Sequence, residues 1–159
     1  KKALIFGAGG ASRAIIYGLI TSGIKEINIT NRTKTNALKI QKDFSNDNTN
    51  INVIDFEPSV IDIVAKTSDL LVNTSSMGMT GGPAPDLSPI YSSSINENIV
   101  GYDIVYAPVE TPFLKEIKKA GGKTGNGISM LIYQGIEGFE KATGLDAPVE
   151  LMFEAFRKA

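Results

Sequence analysis

The sequence predicts an α/β fold in which a doubly wound, mostly parallel β-sheet carries helices on both faces. Two observations predict it: short apolar runs alternate with longer amphipathic stretches along all 159 residues, and a glycine-rich turn joins the first run to the first stretch. This alternation is typical of βαβ units, whose crossovers make neighbouring strands parallel. Because no internal repeat or linker divides the chain, we expect one domain over residues 1–159.

The first half of the chain is predicted to contain four strands and three helices. The strands are predicted at residues 2–6, 26–30, 51–56 and 69–73. The helices are predicted at residues 11–22, 34–44 and 60–66. Gly23 is expected to end the first helix, whose buried face is predicted to carry Ala14, Ile15, Gly18 and Leu19.

The second half begins with a loop rich in glycine, proline and serine, from residue 74 to about 95. Long loops inside compact domains are often functional. Strands are predicted at residues 99–103 and 123–124, and helices at residues 112–120, 128–143 and 148–157. Thr111 and Pro112 suit the N-cap and first position of a helix, and Gly144 suits a helix end.

The composition excludes several classes of function. Apolar residues make up 42% of the chain and charged residues 21%, and the formal net charge of −1 gives no electrostatic reason to expect nucleic acid or a membrane as a partner. The chain has no cysteine and no histidine, which removes disulfides, thiolate chemistry, the commonest general base and most metal ligands. We expect no metal site.

The amino-terminal residues do not match a targeting segment. Lys1 and Lys2 precede an apolar run, as in a signal peptide, but Arg13 interrupts the run and no small-residue cleavage pattern closes it. No apolar run approaches the length of a membrane span. The expected compartment is the cytoplasm.

The glycine-rich turn, GAGGAS at residues 7–12, predicts a dinucleotide-binding loop. It follows a strand and opens a helix, so Gly7 would allow the tight turn and Gly9 would let the backbone approach a pyrophosphate. Ser12 is small enough for the helix to pack on the strand. The candidate pyrophosphate ligands are Gly7, Ala8, Gly9, Gly10 and Ala11. The alternative is a glycine turn that binds no ligand; the loop otherwise indicates a Rossmann-type fold.

A cationic segment ends the second predicted strand, where folds that bind NAD place an acidic residue for the ribose 2′-hydroxyl. Arg32 stands there, and its guanidinium would attract a 2′-phosphate and could stack on adenine. Asn31 and Thr33 can donate hydrogen bonds, and Lys34 adds charge. These residues favour NADP over NAD, the alternative being that Arg32 is only a solvated charge.

Three further motifs complete a family pattern: NTSSMGM at residues 73–79, YDIVYAPVETPFL at residues 102–114 and GNGISMLIYQG at residues 125–135. Together with GAGGASRA and NRT, they resemble the nucleotide-binding domain of the shikimate dehydrogenase family. The resemblance covers essentially the whole chain, with the motifs in the same order. It implies the cofactor NADP and the reduction of 3-dehydroshikimate to shikimate by hydride from NADPH, in aromatic amino acid biosynthesis.

The resemblance also implies roles for individual residues. Asn73, Thr74 and Ser75 would border the cofactor cleft at the carboxyl end of the fourth strand. The nicotinamide half would contact Ile104 and Gly127 largely through backbone groups, with Met130 beside it. Tyr106 and Gln134 would reach the substrate's carboxylate or hydroxyls. The structural alternatives are that Tyr106 and Met130 belong to the core and that Gln134 is only exposed; we interpret Asp103 as structural.

One departure from the family pattern keeps other functions open. Asn36 stands where many members have a second Arg or Lys over the phosphate, so the preference for NADP could be weaker here, although Lys34 could compensate. The alternatives are a quinate/shikimate dehydrogenase that uses NAD or NADP, and a stand-alone nucleotide-binding module.

The resemblance further implies a preceding domain of roughly a hundred residues that would share the substrate and supply a catalytic Lys/Asp dyad. We therefore assign no catalytic residue in this chain and expect the chain alone to be inactive. The last helix, near residues 148–157, is a candidate to pack on that domain. A homodimer of the full-length enzyme is compatible with the resemblance.

Overall fold

The predicted alternation of strands and helices is present in residues 1–158, the part of the chain that the computed structural model describes. The strands are β1 (Lys2–Phe6), β2 (Glu26–Thr30), β3 (Asn50–Ile54), β4 (Leu70–Asn73), β5 (Val100–Asp103) and β6 (Lys123–Gly125). The helices are α1 (Gly10–Thr21), α2 (Lys34–Phe44), α3 (Pro58–Lys66), α4 (Pro112–Lys119), α5 (Ile128–Thr143) and α6 (Val149–Lys158). A 3₁₀ turn, Ser92–Ser94, lies inside the long loop.

The six strands form one sheet in the order β3-β2-β1-β4-β5-β6, and the neighbouring strands run parallel. Phe6 at the end of β1 lies opposite both Thr30 of β2 and Asn73 of β4. The strand order reverses between β1 and β4, and ligands of open α/β sheets bind outside the carboxyl ends of the strands at such a switch point. The predicted doubly wound fold is confirmed.

Helices cover the two faces of the sheet and bury two separate apolar clusters. One face carries α1 and α2, and its cluster includes Ile5, Ile16 and Ile40. The other carries α3 and α4, and its cluster includes Phe6 and Phe113, whose rings meet edge to face. The apolar runs read from the sequence are therefore strands buried on both faces, as in other parallel sheets.

The prediction for the buried face of α1 was partly wrong. The fully buried residues of this helix are Ser12 and Ile16, whereas Ala14 and Gly18 are exposed. Small side chains give little indication of which face a helix buries, because they remove little apolar area from water on either face. Ile15 and Leu19, also predicted, are half-buried against the cluster.

Other differences from the prediction concern element ends. The third strand ends at Ile54 rather than residue 56, and α3 begins at Pro58, two residues earlier than predicted. A proline at the first helical position explains the earlier start, since its missing N–H has no helical partner there. Thr111 caps α4, accepting a hydrogen bond from the Leu114 N–H, and Gly144 ends α5 in the left-handed conformation, as predicted.

The last helix packs against α5 of the same chain. The rings of Tyr133 and Phe153 lie 5.7 Å apart in an edge-to-face contact, and the Met152 side chain lies over Gly135. Leu151 is exposed on the other side of the helix. Packing of this helix on a second domain stays a prediction. Within residues 1–158, no helix is both long and apolar enough to cross a membrane.

Candidate dinucleotide-binding site

The carboxyl ends of β1, β2, β4 and β5 bring the predicted site segments to one edge of the sheet. Phe6 is in register with Thr30 and Asn73, and Asn73 is in register with Asp103. The glycine loop, the NRT segment, the NTSSMGM segment and residues 104–106 follow these strand ends along the chain. The switch-point crevice is therefore bordered by the motifs that the sequence singled out.

The turn after β1 requires glycine at its first position. Gly7 has φ +107°, a backbone conformation that residues with a side chain rarely adopt. Its N–H donates to the Thr30 carbonyl at 2.9 Å. A Cβ at this position would lie 2.8 Å from Thr74 Oγ1 and 3.1 Å from the Ser75 nitrogen. The loop consequently passes directly over the end of β4.

The next two glycines leave an open space at the amino end of α1. Gly9 is the N-cap, and no other part of the described chain lies within 4 Å of a Cβ built at Gly9 or Gly10. Ser12 is fully buried and its hydroxyl donates to the Gly9 carbonyl at 2.6 Å, which fixes the loop from below. The first turn of α1 carries no acidic side chain. This arrangement of free N–H groups and a positive dipole end fits a pyrophosphate.

The segment after β2 presents one unpaired cation. Arg32 is exposed and makes no hydrogen bond or ion pair with any residue in the described range 1–158. Asn31 Nδ2 donates to the Thr33 carbonyl at 2.8 Å, which folds the segment into a turn. Lys34 Nζ lies 2.5 Å from Asp55 Oδ1, so the added charge expected from Lys34 is already balanced by a carboxylate.

Asp55 is the residue that the sequence analysis missed. It follows β3, which is the neighbour of β2 in the sheet, so its side chain lies beside the NRT segment although Asp55 is 21 positions after Lys34 in the chain. The signal was an acidic residue at the carboxyl end of the adjacent strand. That signal could be used only once the order of the strands was known.

Side chains at the end of β4 form hydrogen bonds with other residues of the chain rather than projecting into the crevice. The Thr74 N–H and hydroxyl both donate to the Phe6 carbonyl, at 2.8 and 2.9 Å. Asn73 is fully buried; its Oδ1 accepts from the N–H and hydroxyl of Ser75, and its Nδ2 donates to Asp103 and to the Met77 carbonyl. These three residues shape the wall of the crevice, and the side chains of Asn73 and Thr74 already have partners.

Asp103 organises the base of the crevice. It is fully buried; Oδ1 accepts from Asn73 Nδ2 and from the Val105 N–H, each at 3.0 Å, and Oδ2 accepts from the Thr111 hydroxyl at 2.6 Å. Burial raises the pKa of Asp103, against the lowering effect of these three donors. The residue is structural, as the sequence analysis interpreted it, and it joins β4, β5 and α4.

The pKa of Asp103 predicts the sign of a pH effect on stability. Because its folded-state pKa is raised, the native state holds this proton at a higher pH than the unfolded chain does, and the associated stability is lost as the pH rises from the ordinary value through the raised value. Asp103→Asn cannot titrate. We expect the stability of the wild type relative to Asp103→Asn to fall between about pH 4 and about pH 7.

Urea midpoints of both proteins at the two pH values test this expectation. Asn can keep most of the network, since its oxygen can accept from Asn73 and Val105 while its NH₂ donates to Thr111. A stability difference that does not change with pH would contradict the raised pKa.

Backbone hydrogen bonds join the end of β4 to the residue after β5, and the segment after β5 to the segment after β6. The Ile104 N–H donates to the Asn73 carbonyl at 3.0 Å, and the Gly127 N–H donates to the Val105 carbonyl at 3.3 Å. A Cβ on Gly127 would lie only 1.9 Å from the Ile104 carbonyl oxygen. Residues 104 and 127 are therefore adjacent, as the predicted nicotinamide contacts require.

The predicted substrate residues lie farther along the same region. Tyr106 is 43% exposed, and Gln134 is exposed on α5, one turn beyond the half-buried Met130. Neither Tyr106 nor Gln134 makes a side-chain hydrogen bond to another residue of the described range. Their roles toward a substrate stay a prediction, but their polar groups are available.

Comparison with known proteins finds similarity to the family that the sequence motifs resemble. A family model described as shikimate/quinate 5-dehydrogenase matches residues 1–78. A shikimate dehydrogenase (NADP(+)) of Methanosarcina barkeri is 38% identical over 152 residues, which are 96% of this chain and 53% of that protein. The chain thus spans about half the length of the curated relatives it matches.

Solved structures of quinate and shikimate dehydrogenases have a similar fold. A quinate dehydrogenase from Corynebacterium glutamicum in complex with NAD superimposes with a TM-score of 0.87 at 27% identity, over 100% of this chain and 55% of that one. A shikimate 5-dehydrogenase from Thermus thermophilus in complex with NADP(H) and shikimate gives 0.78 at 33% identity, over 98% and 54%.

The fold and the crevice define a dinucleotide-binding domain of the Rossmann class. The family resemblance inferred from the motifs is confirmed: the chain is homologous to the NAD(P)-binding domain of the shikimate dehydrogenases.

Proposed function

We propose that this chain binds NADP(H) and serves as the cofactor domain of a shikimate dehydrogenase. The observation that carries the proposal is the open space over Gly9 and Gly10 on the same edge as the unpaired Arg32. In this assignment the free N–H groups of the α1 amino end hold the pyrophosphate. The Arg32 guanidinium holds the 2′-phosphate of the adenosine half.

The reaction assigned to the whole protein is reduction of 3-dehydroshikimate to shikimate. Bound NADPH supplies the hydride. The residues at 104 and 127 orient the nicotinamide half through their backbones, and Met130 limits the access of water beside it. Tyr106 and Gln134 donate hydrogen bonds to substrate oxygens. The proton-transferring Lys/Asp dyad belongs, by the resemblance, to a preceding domain, so no residue of this chain is assigned as catalytic.

Gly9→Val tests the proposal without disturbing the fold. Gly9 has an extended backbone with a negative φ of −99°, unlike Gly7, and a Cβ at this position would meet no other part of the described chain. The valine side chain would instead occupy the space assigned to the pyrophosphate. We expect calorimetric titration to show NADPH binding by the wild type and at least about a hundredfold weaker binding by Gly9→Val, because several phosphate hydrogen bonds are lost together.

The matched control is Gly18→Val, on the exposed side of the same helix and likewise without neighbours within 4 Å. It should bind NADPH as the wild type does, and both variants should stay folded, with thermal midpoints close to that of the wild type. If Gly9→Val binds NADPH normally, the glycine loop is not the pyrophosphate site and the proposal is wrong.

A second candidate is a quinate/shikimate dehydrogenase that accepts NAD as well as NADP. Two features favour it: Asn36 supplies no second cation, and Lys34 is paired with Asp55. The likeness to a quinate dehydrogenase in complex with NAD points the same way. Affinities for NADPH and NADH that differ by less than about threefold would favour this candidate.

A further inference from the structure

The Lys34–Asp55 ion pair lies at the edge assigned to the adenosine 2′-phosphate. Lys34 is the first residue of α2, two positions after Arg32, and its Nζ lies 2.5 Å from Asp55 Oδ1. The two side chains are 55% and 57% exposed. An ion pair this exposed contributes little to stability, because water screens it and ordering two long side chains costs entropy.

Asp55 cancels one of the two positive charges at this edge, which leaves a net charge of +1. Arg32 and Lys34 supply two positive charges and Asp55 supplies one negative charge, while position 36 carries a neutral asparagine. A nearby carboxylate has two effects on a phosphate dianion: it repels the phosphate, and it occupies the ammonium that could otherwise donate to it. Both effects act on NADP(H) and neither acts on NAD(H), which has a 2′-hydroxyl.

We infer that Asp55 is a specificity-determining residue that lowers the preference of this site for NADP(H) over NAD(H) by neutralising Lys34. The inference rests on the proposed function, since it assigns the edge beside Arg32 to the 2′-phosphate. The preference for NADP(H) over NAD(H) is therefore weaker than the NRT motif alone indicates, and one substitution at Asp55 should change it.

Asp55→Asn is the direct test, measured as the ratio of the dissociation constants for NADH and NADPH in low-salt buffer. Removing the carboxylate frees Lys34, so the ratio should rise by about three- to tenfold, through tighter NADPH binding with NADH unchanged. The gain should shrink in about 0.5 M NaCl, since the groups are exposed and the Debye length there is only about 4 Å.

Asp43→Asn is the matched control. Asp43 forms an ion pair of similar exposure with Arg13, with its Oδ2 2.7 Å from Arg13 Nη2, at the other end of α2. The substitution makes the same change in net charge and breaks the same kind of pair. The ratio should stay within about twofold of the wild-type value, because this carboxylate lies about 13 Å along the helix from Lys34, whereas Asp55 contacts Lys34 directly.

The double variant Lys34→Met/Asp55→Asn separates charge from structural disturbance. Its local charge equals that of the wild type, so we expect the wild-type ratio to return within about twofold. A defect in folding around residue 55 would not be repaired by removing Lys34.

Three results would overturn the inference. An unchanged ratio in Asp55→Asn would show that the carboxylate does not act on the 2′-phosphate, and an equal gain in Asp43→Asn would show that only net charge matters; either leaves the proposed function standing. Absence of saturable NADPH binding by the wild type would overturn the proposed function and the inference with it.

Discussion

Gly127→Ala is expected to lower the free energy of unfolding by about 3 kcal/mol or more. The added Cβ would lie 1.9 Å from the Ile104 carbonyl oxygen and 2.5 Å from its carbon, and both atoms belong to a backbone held between β5 and α5. Neither can rotate away as a side chain would. For a domain of this size the thermal midpoint should fall by about 6–12 °C.

Gly138→Ala, on the same helix, is the control. Its Cβ would meet nothing within 4 Å, so alanine should leave stability unchanged or raise it by about 0.5–1 kcal/mol through its higher helix propensity. Differential scanning calorimetry of both variants measures the difference. If Gly127→Ala has the same thermal midpoint as the wild type, residues 104 and 127 do not approach as closely as described. The wall assigned to the nicotinamide would then be misplaced.

Arg32→Ala should weaken NADPH binding by about ten- to a hundredfold while leaving NADH binding within about twofold. The range follows from losing one or two charge-assisted hydrogen bonds to the 2′-phosphate, each contributing about 1.5–3 kcal/mol but partly offset by solvation at an exposed site. The loss should be smaller at high salt. Isothermal titration with both cofactors, in low and high salt, measures it.

Lys39→Ala removes one positive charge from an exposed position of α2, the helix that follows the Arg32 segment, and should change neither affinity measurably. If Lys39→Ala weakens NADPH binding as much as Arg32→Ala does, the attraction for the 2′-phosphate comes from the overall charge of the chain. If Arg32→Ala weakens the binding of both cofactors equally, the guanidinium acts on adenine or on the fold. The assignment of Arg32 to the 2′-phosphate would then be wrong.

Much of the fold could be predicted because its signals are local. A strand buried on both faces is a continuous apolar run, and Thr111, Gly23 and Gly144 mark helix ends through their own hydrogen bonds or backbone freedom. The face of α1 was less predictable, since Ala14 and Gly18 fit either environment. The glycine loop was predictable as a site for the same local reason: strand, turn and helix start are contiguous.

The interactions that set the character of the site could not be predicted, because they join residues far apart in the chain. Asn73 and Asp103 meet only because β4 and β5 are neighbours in register. Lys34 and Asp55 meet only because β3 lies beside β2. The sequence indicated which residues carry charge, and the strand order decided which charges remain available to a ligand.

Binding of NADP⁺ at this edge of the sheet is tested most directly by mapping it on the chain with amide chemical shifts in ¹⁵N-labelled protein. We expect the largest perturbations in the glycine loop, at Arg32 and its neighbours, and at residues 74–75, 104 and 127, all on the carboxyl edge of the sheet. The polar loop at residues 45–50 and the exposed side of α6 should not respond. Saturable shifts confined to those two regions, with the glycine loop and Arg32 unchanged, would show that NADP⁺ does not bind at this edge.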